Sequence, residues 1–344
     1  MEPTSPPSPA HQPAPSAPTS PGWAPPADAD IETVARAAAR IRANVEKVVQ
    51  GKSEVITSAV VVLLAEGHLL LEDVPGVGKT LLSKALARSI DASVRRIQFT
   101  PDLLPSDVTG VSVYDQGTRS FEFRPGGVFA NIVIGDEINR ASPKTQSALL
   151  ECMAERQVTV DNVTYPLESP FMVIATQNPV EMEGTYPLPE AQRDRFMARL
   201  SVGYPVPTAE IAMISQHGAA NPLDELEAVT TTEELRKLCS VVAAVHVAAP
   251  LQRYAVELVS ATREHPELVL GASPRATLHL VRAAKARAAL EHRDYVIPDD
   301  LVSLLQPVLA HRLLPSSEAA MNGRDVAAVL DDIAARVPVP SPAR

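Results

Sequence analysis

The spacing of hydrophobic positions changes near residue 66, where helical periodicity gives way to unbroken apolar runs. From Ile31 to Val48, apolar residues recur at steps of three and four, which predicts a helix with one apolar face. Gln50-Gly51-Lys52 is expected to end this helix, because glycine is a natural helix stop, and a further helix is expected to reach Glu66. The following run, His68-Leu69-Leu70-Leu71, predicts a buried strand.

Between Leu71 and Leu200, apolar strands alternate with helices. Asn131-Ile132-Val133-Ile134-Gly135 and Phe171-Met172-Val173-Ile174-Ala175-Thr176 predict strands, and Phe99-Thr100 is expected to end another. These runs lack polar alternation, which is typical of strands that helices cover on both faces. The pattern predicts an α/β fold with a doubly wound parallel sheet, in which ligands bind at the carboxyl ends of the strands.

Two segments with turn residues between short strands interrupt this pattern and predict β-hairpins. The first spans residues 111–123 around the turn Asp115-Gln116-Gly117-Thr118. The second spans residues 157–165 around Asp161-Asn162, where asparagine tolerates a positive φ. From the residues alone, both hairpins are compatible with ordinary surface decoration.

Strand patterns stop after Pro205-Val206-Pro207, and the remaining chain has the spacing of helices, which predicts a second, smaller, all-α domain. Segments rich in proline, alanine and serine at both ends cannot bury enough apolar surface to fold. The predicted division is a disordered tail at residues 1–29, an α/β domain at 30–205, an α-helical domain at 206–336 and a second disordered tail at 337–344.

Composition narrows the functional classes. A formal net charge of −10 argues against a general nucleic-acid binder, and no stable nucleic-acid partner is expected. Cys152 and Cys239 lie in separate segments and are interpreted as small buried hydrophobes. The amino terminus lacks the features of a secretory signal. The apolar run from Ala59 to Ala65 is shorter than the ~20 residues that cross a bilayer, so we expect a cytoplasmic protein without a transmembrane segment.

A glycine-rich turn follows the strand that ends near Leu71. Its residues Val74-Pro75-Gly76-Val77-Gly78-Lys79-Thr80 have the pattern of a phosphate-binding loop, although Asp73 stands where the strict pattern has its first glycine. In such a loop backbone N–H groups cradle phosphates, the lysine reaches the β- and γ-phosphates, and the hydroxyl binds Mg²⁺. The expected nucleotide contacts are Pro75, Gly76, Val77, Gly78, Lys79, Thr80 and Leu81.

Polar residues end the two following strands. Asp136 would bind Mg²⁺ together with Thr80, and Glu137 would act as general base for an attacking water. A carboxylate at a helix N-terminus is the alternative role of Glu137. Asn178 is expected to position that water, although an asparagine before proline is also a common turn residue. Arg195 and Arg275 are isolated basic residues beside helix starts, and the pattern leaves both surface charge and phosphate contact open.

Several of these motifs, in this order, resemble the MoxR family of AAA+ ATPases. The resemblance covers roughly residues 31–336 and implies a P-loop AAA+ fold with a helical lid. Lys79 and Thr80 correspond to Walker A, Asp136 and Glu137 to Walker B, and Asn178 to sensor 1. The likeness rests on residues 71–80, Phe129-Ala130-Asn131, Asp136-Glu137-Ile138-Asn139-Arg140, 143–151, Ala175-Thr176-Gln177-Asn178-Pro179 and 183–192.

The same resemblance assigns roles to the two arginines. Arg195 corresponds to an arginine finger that enters the neighbouring subunit's site, with Arg193 and Arg140 as alternatives. Arg275 corresponds to sensor 2, which reaches from the lid to the γ-phosphate of its own subunit. The two hairpins correspond to family insertions that face the central pore of a ring or a partner.

Three residues depart from the family pattern. Asp73 in place of glycine is expected to stiffen the phosphate loop. Gly127 replaces a proline that is often found there, and Gly135 is unusually small for the position before Asp136. We expect this glycine to loosen the strand.

The function implied by the resemblance is hydrolysis of ATP with Mg²⁺ by a ring, expected to be a hexamer. The ring would mature or activate a partner complex, with a von Willebrand factor A domain protein as the expected partner. Two alternatives remain at this level: a nucleotide-gated assembly scaffold with incidental turnover, and a DNA-dependent motor, which the acidic net charge disfavours.

Overall fold

The computed structural model describes residues 26–179, 184–205, 210 and 222–340. Its centre is a five-stranded parallel sheet of order β10 (Ala198–Leu200), β1 (Leu69–Glu72), β9 (Met172–Gln177), β6 (Ile132–Asp136) and β3 (Val94–Gln98). Both buried runs predicted as inner strands, at residues 132–135 and 171–176, lie in this sheet as β6 and β9. In chain order the strands are β1 (Leu69–Glu72), β2 (Ile90–Asp91), β3 (Val94–Gln98), β4 (Gly110–Asp115), β5 (Ser120–Pro125), β6 (Ile132–Asp136), β7 (Gln157–Val160), β8 (Val163–Pro166), β9 (Met172–Gln177), β10 (Ala198–Leu200), β11 (Thr230–Thr231), β12 (Leu268–Leu270) and β13 (Leu314–Pro315).

Helices surround the sheet and make up most of the chain after residue 230. The first begins at Asp28, slightly before the predicted start of ordered chain at residue 30. Most of the predicted tails, at residues 1–25 and 341–344, lies outside the described residues. The helices are α1 (Asp28–Glu46), α2 (Ser53–Leu64), α3 (Lys79–Arg88), α4 (Pro105–Thr109), α5 (Pro143–Glu155), α6 (Glu190–Arg193), α7 (Thr232–Ala244), α8 (Ala249–Glu264), α9 (Pro274–Leu290), α10 (Pro298–Ser303), α11 (Leu305–Leu309), α12 (Ser317–Met321) and α13 (Val326–Arg336), with 3-10 turns at Ile138–Arg140 and Ala310–Arg312.

Alternate residues of the inner strands enter two separate hydrophobic cores. Leu69 and Leu71 of β1 pack with α1, α2 and α3 on one face, while Leu70 joins the opposite core with Val133 and Leu149. Because side chains of a strand alternate between faces, a sheet buried on both sides needs apolar residues at every position. The doubly wound α/β fold predicted from the unbroken apolar runs is confirmed.

Register brings the carboxyl ends of four strands to one edge of the sheet. Glu72 pairs with Gln177, and Gln98 pairs with Asp136. The residues that follow β1, β6 and β9 therefore lie near one another, although they are far apart in sequence. This edge is the place where ligands bind in doubly wound sheets.

Both predicted hairpins are present, as β4–β5 and β7–β8. Asp161 and Asn162 have φ of 49° and 65°, so both turn residues adopt the left-handed conformation that suits a two-residue hairpin loop. The rings of Phe123 and Tyr165 stack with centroids 3.9 Å apart, and this contact joins the two hairpins.

The carboxyl-terminal helices pack on the first two helices of the chain. Helices α1 and α2 both contact α7 and α9, and Arg282 of α9 donates a hydrogen bond of 3.1 Å to the carbonyl of Glu66. This part is helical except for short strands, of which β12 and β13 pair with each other. The apolar run Leu268–Leu270 has only three residues, too few for its pattern to predict a strand. The boundary at residue 206 stays a prediction.

Gly135 does not loosen β6, contrary to expectation. It pairs with Ile97 on one side and Ala175 on the other, within a strand that is buried throughout. A Cβ atom at this position would lie 3.0 Å from Cε2 of Phe99, so the ring of Phe99 occupies the space of the missing side chain. Gly127 is similarly enclosed, because its Cβ would lie 2.7 Å from Cδ1 of Ile97.

Candidate active site

The glycine-rich turn joins β1 to α3, as the sequence predicts. Gly76 and Gly78 have φ of 83° and 95°, a region of backbone conformation that residues with a Cβ rarely adopt. Helix α3 begins at Lys79, directly after the turn. A helix N-terminus behind a glycine-rich loop presents backbone N–H groups and the positive end of the helix dipole to an anion, so the turn fits phosphate groups.

Asp73 ties this loop to the segment that follows β10. Its carboxylate accepts hydrogen bonds from the N–H of Val74 at 2.8 Å, from Oγ of Ser201 at 2.7 Å and from the N–H of Gly203 at 2.6 Å. Burial raises the pKa of Asp73, but these hydrogen bonds and the charge of Lys79 together lower it below its ordinary value. Aspartate in place of glycine therefore anchors the loop.

Asp136 lies at the centre of the cleft beside the loop. Its Oδ1 atom accepts hydrogen bonds from Oγ1 of Thr80 at 3.1 Å and from Oγ1 of Thr176 at 3.3 Å, and its Oδ2 accepts from Nε of Arg96 at 2.7 Å. Oxygen ligands of this kind suit a hard cation, so the hydroxyl of Thr80 and the carboxylate of Asp136 fit Mg²⁺. The neighbouring Lys79 donates hydrogen bonds to the carbonyls of Asp73 and Val74, the latter at 3.0 Å.

Glu137 has a φ of 58°, which is unusual for a residue with a side chain. It occupies the N-cap position of the 3-10 turn at Ile138–Arg140, but its carboxylate makes no capping hydrogen bond there. Its Oε2 accepts from Nε2 of Gln98 at 2.9 Å and from Nη1 of Arg140 at 3.1 Å. Both Glu137 and the buried Asn178 line the cleft.

The cleft brings together most of the residues predicted to bind nucleotide or catalyse its hydrolysis. Three predicted nucleotide contacts do not line the cleft: Val77 and Leu81 pack into the hydrophobic core, and Gly78 is the N-cap residue of α3. The lining residues are Pro75, Gly76, Lys79, Thr80, Arg96, Gln98, Asp136, Glu137, Thr176, Gln177 and Asn178.

Arg195 and Arg275 lie elsewhere, and they share one pocket. Gly67 and His68 in its lining precede β1, whereas the phosphate loop follows that strand. At about 3.3 Å of rise for each of the four residues of β1, the pocket and the loop lie on the order of 13 Å apart, at opposite edges of the sheet. In this structure Arg275 does not line the cleft of its own subunit, because α9 starts at the opposite edge.

The arginine pocket, defined by Arg156, Arg195, Arg275 and Arg282, is strongly basic. Glu66 is the acidic residue in its lining, and it pairs with Arg156 at 3.3 Å. Imidazoles nearby add no charge at neutral pH, because burial is the largest cause that lowers the pKa of His68 to about 4 and that of His279 to about 3. The pocket can therefore attract an anion.

The other two finger candidates have different surroundings. Arg140 forms its ion pair with Glu137 within the cleft. Arg193 pairs with Glu190 one helical turn before it, at 3.6 Å. Neither lines the arginine pocket.

Comparison with known proteins places this geometry in a family. Residues 68–198 match the model of the ATPase family associated with various cellular activities (AAA), and residues 260–333 match the AAA lid domain. The chain is 40% identical over 342 residues to Chaperone MoxR1 of Mycobacterium tuberculosis, a match that covers 97% of this chain and 88% of that protein. It is 32% identical over 321 residues to Protein MoxR of Paracoccus denitrificans, covering 86% of this chain and 94% of the relative. The chain belongs to the MoxR family of AAA+ ATPases.

Two further matches support this assignment. The uncharacterized protein YeaC of Bacillus subtilis is 51% identical over 297 residues, which cover 86% of this chain and 93% of YeaC. A crystal structure from Cytophaga hutchinsonii, provisionally described as an ATPase, superposes with a TM-score of 0.84 at 38% identity and covers 91% of this chain and 98% of its own. This MoxR-family chain is thus a nucleotide-binding, ATP-hydrolysing enzyme with a parallel-sheet ATPase domain and a helical lid. No helix in the described part of the chain is long and apolar enough to span a membrane.

Several residues of the MoxR-type cleft were not predicted as site residues from the sequence. Arg96 and Gln98 belong to β3, an edge strand with polar residues at most positions, so it gives no apolar run. Thr176 and Gln177 lie beside Asn178 in the motif already singled out. Their position at a strand's carboxyl end was the available signal.

Proposed function

We propose that this ATPase works as a head-to-tail ring, expected to be a hexamer, in which ATP lies between two subunits. The cleft of one subunit would bind the nucleotide with Mg²⁺, and the arginine pocket of the next would face its γ-phosphate. The observation that carries this proposal is the shared pocket of Arg195 and Arg275, on the sheet edge opposite the phosphate loop. A head-to-tail interface joins two different surfaces, as this arrangement requires.

Within the cleft, each residue has a role that its surroundings support. Lys79 neutralises phosphate charge, and Thr80 and Asp136 hold Mg²⁺, which supplies further neutralisation when bound. Glu137 accepts the proton of the attacking water, a contribution of typically ~10²–10⁴ in rate. Asn178 orients that water from the end of β9.

The arginine pocket would supply a neighbouring subunit's arginine side chains to the γ-phosphate. An arginine that enters a neighbouring site is typically worth ~10³–10⁵ in rate, because it stabilises charge that develops on the transferred group. Both arginines would act in this way on the neighbour's nucleotide. We therefore expect isolated subunits to be nearly inactive and turnover per subunit to rise with protein concentration.

For the biological role, we propose chaperone-like maturation or activation of a partner complex, carried out in the cytoplasm and including a von Willebrand factor A domain protein. One of the relatives is named Chaperone MoxR1, which supports the chaperone part. The first hairpin supports a partner contact, because Phe121 and Tyr114 are 74% and 50% exposed and their rings pack edge to face. Exposed aromatic pairs of this kind are common at protein interfaces.

Mixing inactive variants tests the shared site. Arg195→Ala subunits keep an intact cleft, and Glu137→Gln subunits keep an intact arginine pocket. In a randomly mixed equimolar ring, about a quarter of the interfaces combine the two intact halves, so hydrolysis should return to about a quarter of the wild-type rate. Arg275→Ala mixed with Glu137→Gln should recover in the same way. Arg253→Ala, an exposed arginine on α8, is the control that should keep wild-type turnover.

A third mixture separates the two possible positions of Arg275. If both arginines act on the neighbour, Arg195→Ala mixed with Arg275→Ala contains no complete interface and stays inactive. If Arg275 acts in its own subunit, this mixture recovers and the proposal is overturned for that residue. Full turnover by Arg195→Ala alone would overturn the proposal for Arg195.

A further inference from the structure

Asp194 connects the two arginines of the pocket. It directly precedes Arg195, and its carboxylate accepts hydrogen bonds from Oγ of Ser273 at 2.9 Å to each oxygen. Ser273 is the N-cap residue of α9 and lies two positions before Arg275. One carboxylate thus bridges the segment that carries Arg195 and the lid helix that carries Arg275.

Arg312 holds Asp194 from the other side. Its Nε atom lies 2.8 Å from Oδ1 of Asp194, and its side chain is only 2% exposed. The Nη2 atom donates to the carbonyls of Asp194 at 3.1 Å and Phe196 at 2.6 Å, and contacts Nδ1 of His279 at 2.7 Å. Because its guanidinium is occupied within the fold, Arg312 is a fixed support for Asp194.

This cluster has two kinds of link. The Asp194–Arg312 pair joins a buried guanidinium to a half-buried carboxylate, and it holds the segment before β10 against the 3-10 turn at Ala310–Arg312. The Asp194–Ser273 hydrogen bond ties that assembly to the start of α9 through one neutral hydroxyl, and Arg312 contacts the same helix further along, at His279. A change at Ser273 can therefore remove the second link and leave the first in place.

We propose that Asp194 and Ser273 are positioning residues that fix the spacing between Arg195 and Arg275. This inference rests on the proposed function, in which both arginines face the neighbour's nucleotide. When the lid moves, the hydrogen bond makes the start of α9 and the Arg195 segment move together. Without this hydrogen bond both arginines remain in the pocket, but their spacing is no longer fixed to fit one phosphate group.

Ser273→Ala tests this directly. Misplacement of a charged group by about 1 Å can cost ~10²-fold in rate, so we expect kcat to fall by about 10- to 100-fold while the KM for ATP stays within about two-fold. Ser273→Thr keeps the hydroxyl and should restore turnover. Ser316→Ala is the matched control, because Ser316 caps α12 in the same way but has no contact with Asp194. It should show the effect of cap loss alone.

A mixture with Glu137→Gln gives a readout that general damage to the lid would not produce. Ser273→Ala subunits have an intact cleft and a faulty arginine pocket, so Glu137→Gln subunits should restore hydrolysis in the mixture. Wild-type kcat in Ser273→Ala, no recovery in this mixture, or an equal loss in Ser316→Ala would overturn the inference.

The Arg195→Ala mixture tells the two proposals apart. If it fails to recover with Glu137→Gln, the shared site itself is refuted. If it recovers while Ser273→Ala does not behave as expected, only the positioning role is refuted. Asp194→Asn, measured in parallel, should lower kcat at least as much as Ser273→Ala, because it weakens both links.

Discussion

Nε of Arg96 lies 2.7 Å from Oδ2 of Asp136, and Oγ1 of Thr80 lies 3.1 Å from the other oxygen of the same carboxylate. A cationic side chain thus occupies one oxygen of the group that would hold Mg²⁺. The Arg96 side chain is 51% exposed, against 4% for Asp136, so the arginine can withdraw into solvent while the carboxylate stays in place. We therefore expect Arg96 and Mg²⁺ to compete for Asp136.

We predict that Arg96→Gln lowers the Mg²⁺ concentration needed for half-maximal hydrolysis. Loss of a half-exposed ion pair of up to about 1 kcal/mol corresponds to a shift of roughly two- to five-fold. Turnover measured against free Mg²⁺ at constant ATP checks this. Arg95→Gln changes the neighbouring exposed arginine on β3 and should leave the Mg²⁺ requirement unchanged. An unchanged requirement in Arg96→Gln would contradict the competition.

Lys79→Ala and Glu137→Gln should separate binding from turnover. Removing the lysine charge weakens ATP binding, since the phosphates lose their nearest cation. Glu137→Gln keeps binding but loses about 10²–10⁴ in hydrolysis, because the amide cannot accept a proton. Calorimetry and phosphate release measure the two effects, with Lys84→Ala further along α3 as control. Wild-type affinity in Lys79→Ala would remove that residue from the site.

Asp73→Asn should lower stability in a pH-dependent way. The pKa of Asp73 is lowered in the fold, so its stabilisation is present above the ordinary aspartate pKa of 3.8 and is lost as pH falls through the lower folded value. We expect a loss of about 1 kcal/mol at pH 7 that disappears as the pH falls through the lowered pKa of Asp73. Denaturant unfolding at several pH values tests this. Asp91→Asn, at an exposed aspartate on β2, should show no such dependence.

Gly135→Ala should destabilise the ATPase domain although alanine is small. The added Cβ would lie 3.0 Å from Cε2 of Phe99, a ring that is fully buried. Overpacking of a core costs about 1–3 kcal/mol, and thermal unfolding should show a corresponding decrease. Phe99→Leu combined with Gly135→Ala should cost less stability than the sum of the two single changes, because the smaller side chain at residue 99 leaves room for the added Cβ. Additive losses in the double variant would show that the ring is not responsible.

His68 should contribute to acid sensitivity. Its Nδ1 accepts from the N–H of Val173 at 3.0 Å, and burial is the main cause that lowers its pKa from 6.5 to about 4. Between pH 6.5 and about 4, His68 is therefore protonated in the unfolded chain but neutral in the folded chain. From His68, the free energy of unfolding should fall by about 3 kcal/mol as the pH decreases from 6.5 to 4.

His68→Gln should make that decrease smaller, because glutamine does not titrate. His292→Gln is the control, since His292 is exposed and pairs with Glu32 on the surface. Unfolding midpoints at pH 7 and pH 4.5 would show the difference between the two variants. Identical pH dependence in His68→Gln and the wild type would exclude this histidine as a contributor.

The sequence predicts the inner sheet and the cleft because both depend on short-range patterns. Unbroken apolar runs indicate β1, β6 and β9, and the residues that follow these strands form the site. From the sequence, Asp73 was identified only as a departure from the phosphate-loop pattern. Its role as an anchor could not be predicted, because its partners Ser201 and Gly203 lie 128 and 130 residues away. Their approach depends on pairing between β1 and β10.

The position of Arg275 could not be derived in the same way. It depends on how the lid packs on α1 and α2, a contact between helices that are remote in sequence. The helical pattern of α9 predicts which residues face a core but does not specify against which part of the chain. Asp194 and Arg312 carry no motif, and only the fold brings them together.

The placement of cleft and arginine pocket at opposite sheet edges has a consequence for assembly. A two-fold dimer presents the same surface twice, so it cannot pair one edge with the other. If the proposed head-to-tail contact forms, an open row of subunits leaves the cleft at one end without a neighbour's arginine pocket and the arginine pocket at the other end without a neighbour's nucleotide. In the proposed ring, closure alone would complete every site. It would also give the assembly a direction, since each subunit would contact the nucleotide of the neighbour on one side and present its own nucleotide to the neighbour on the other side.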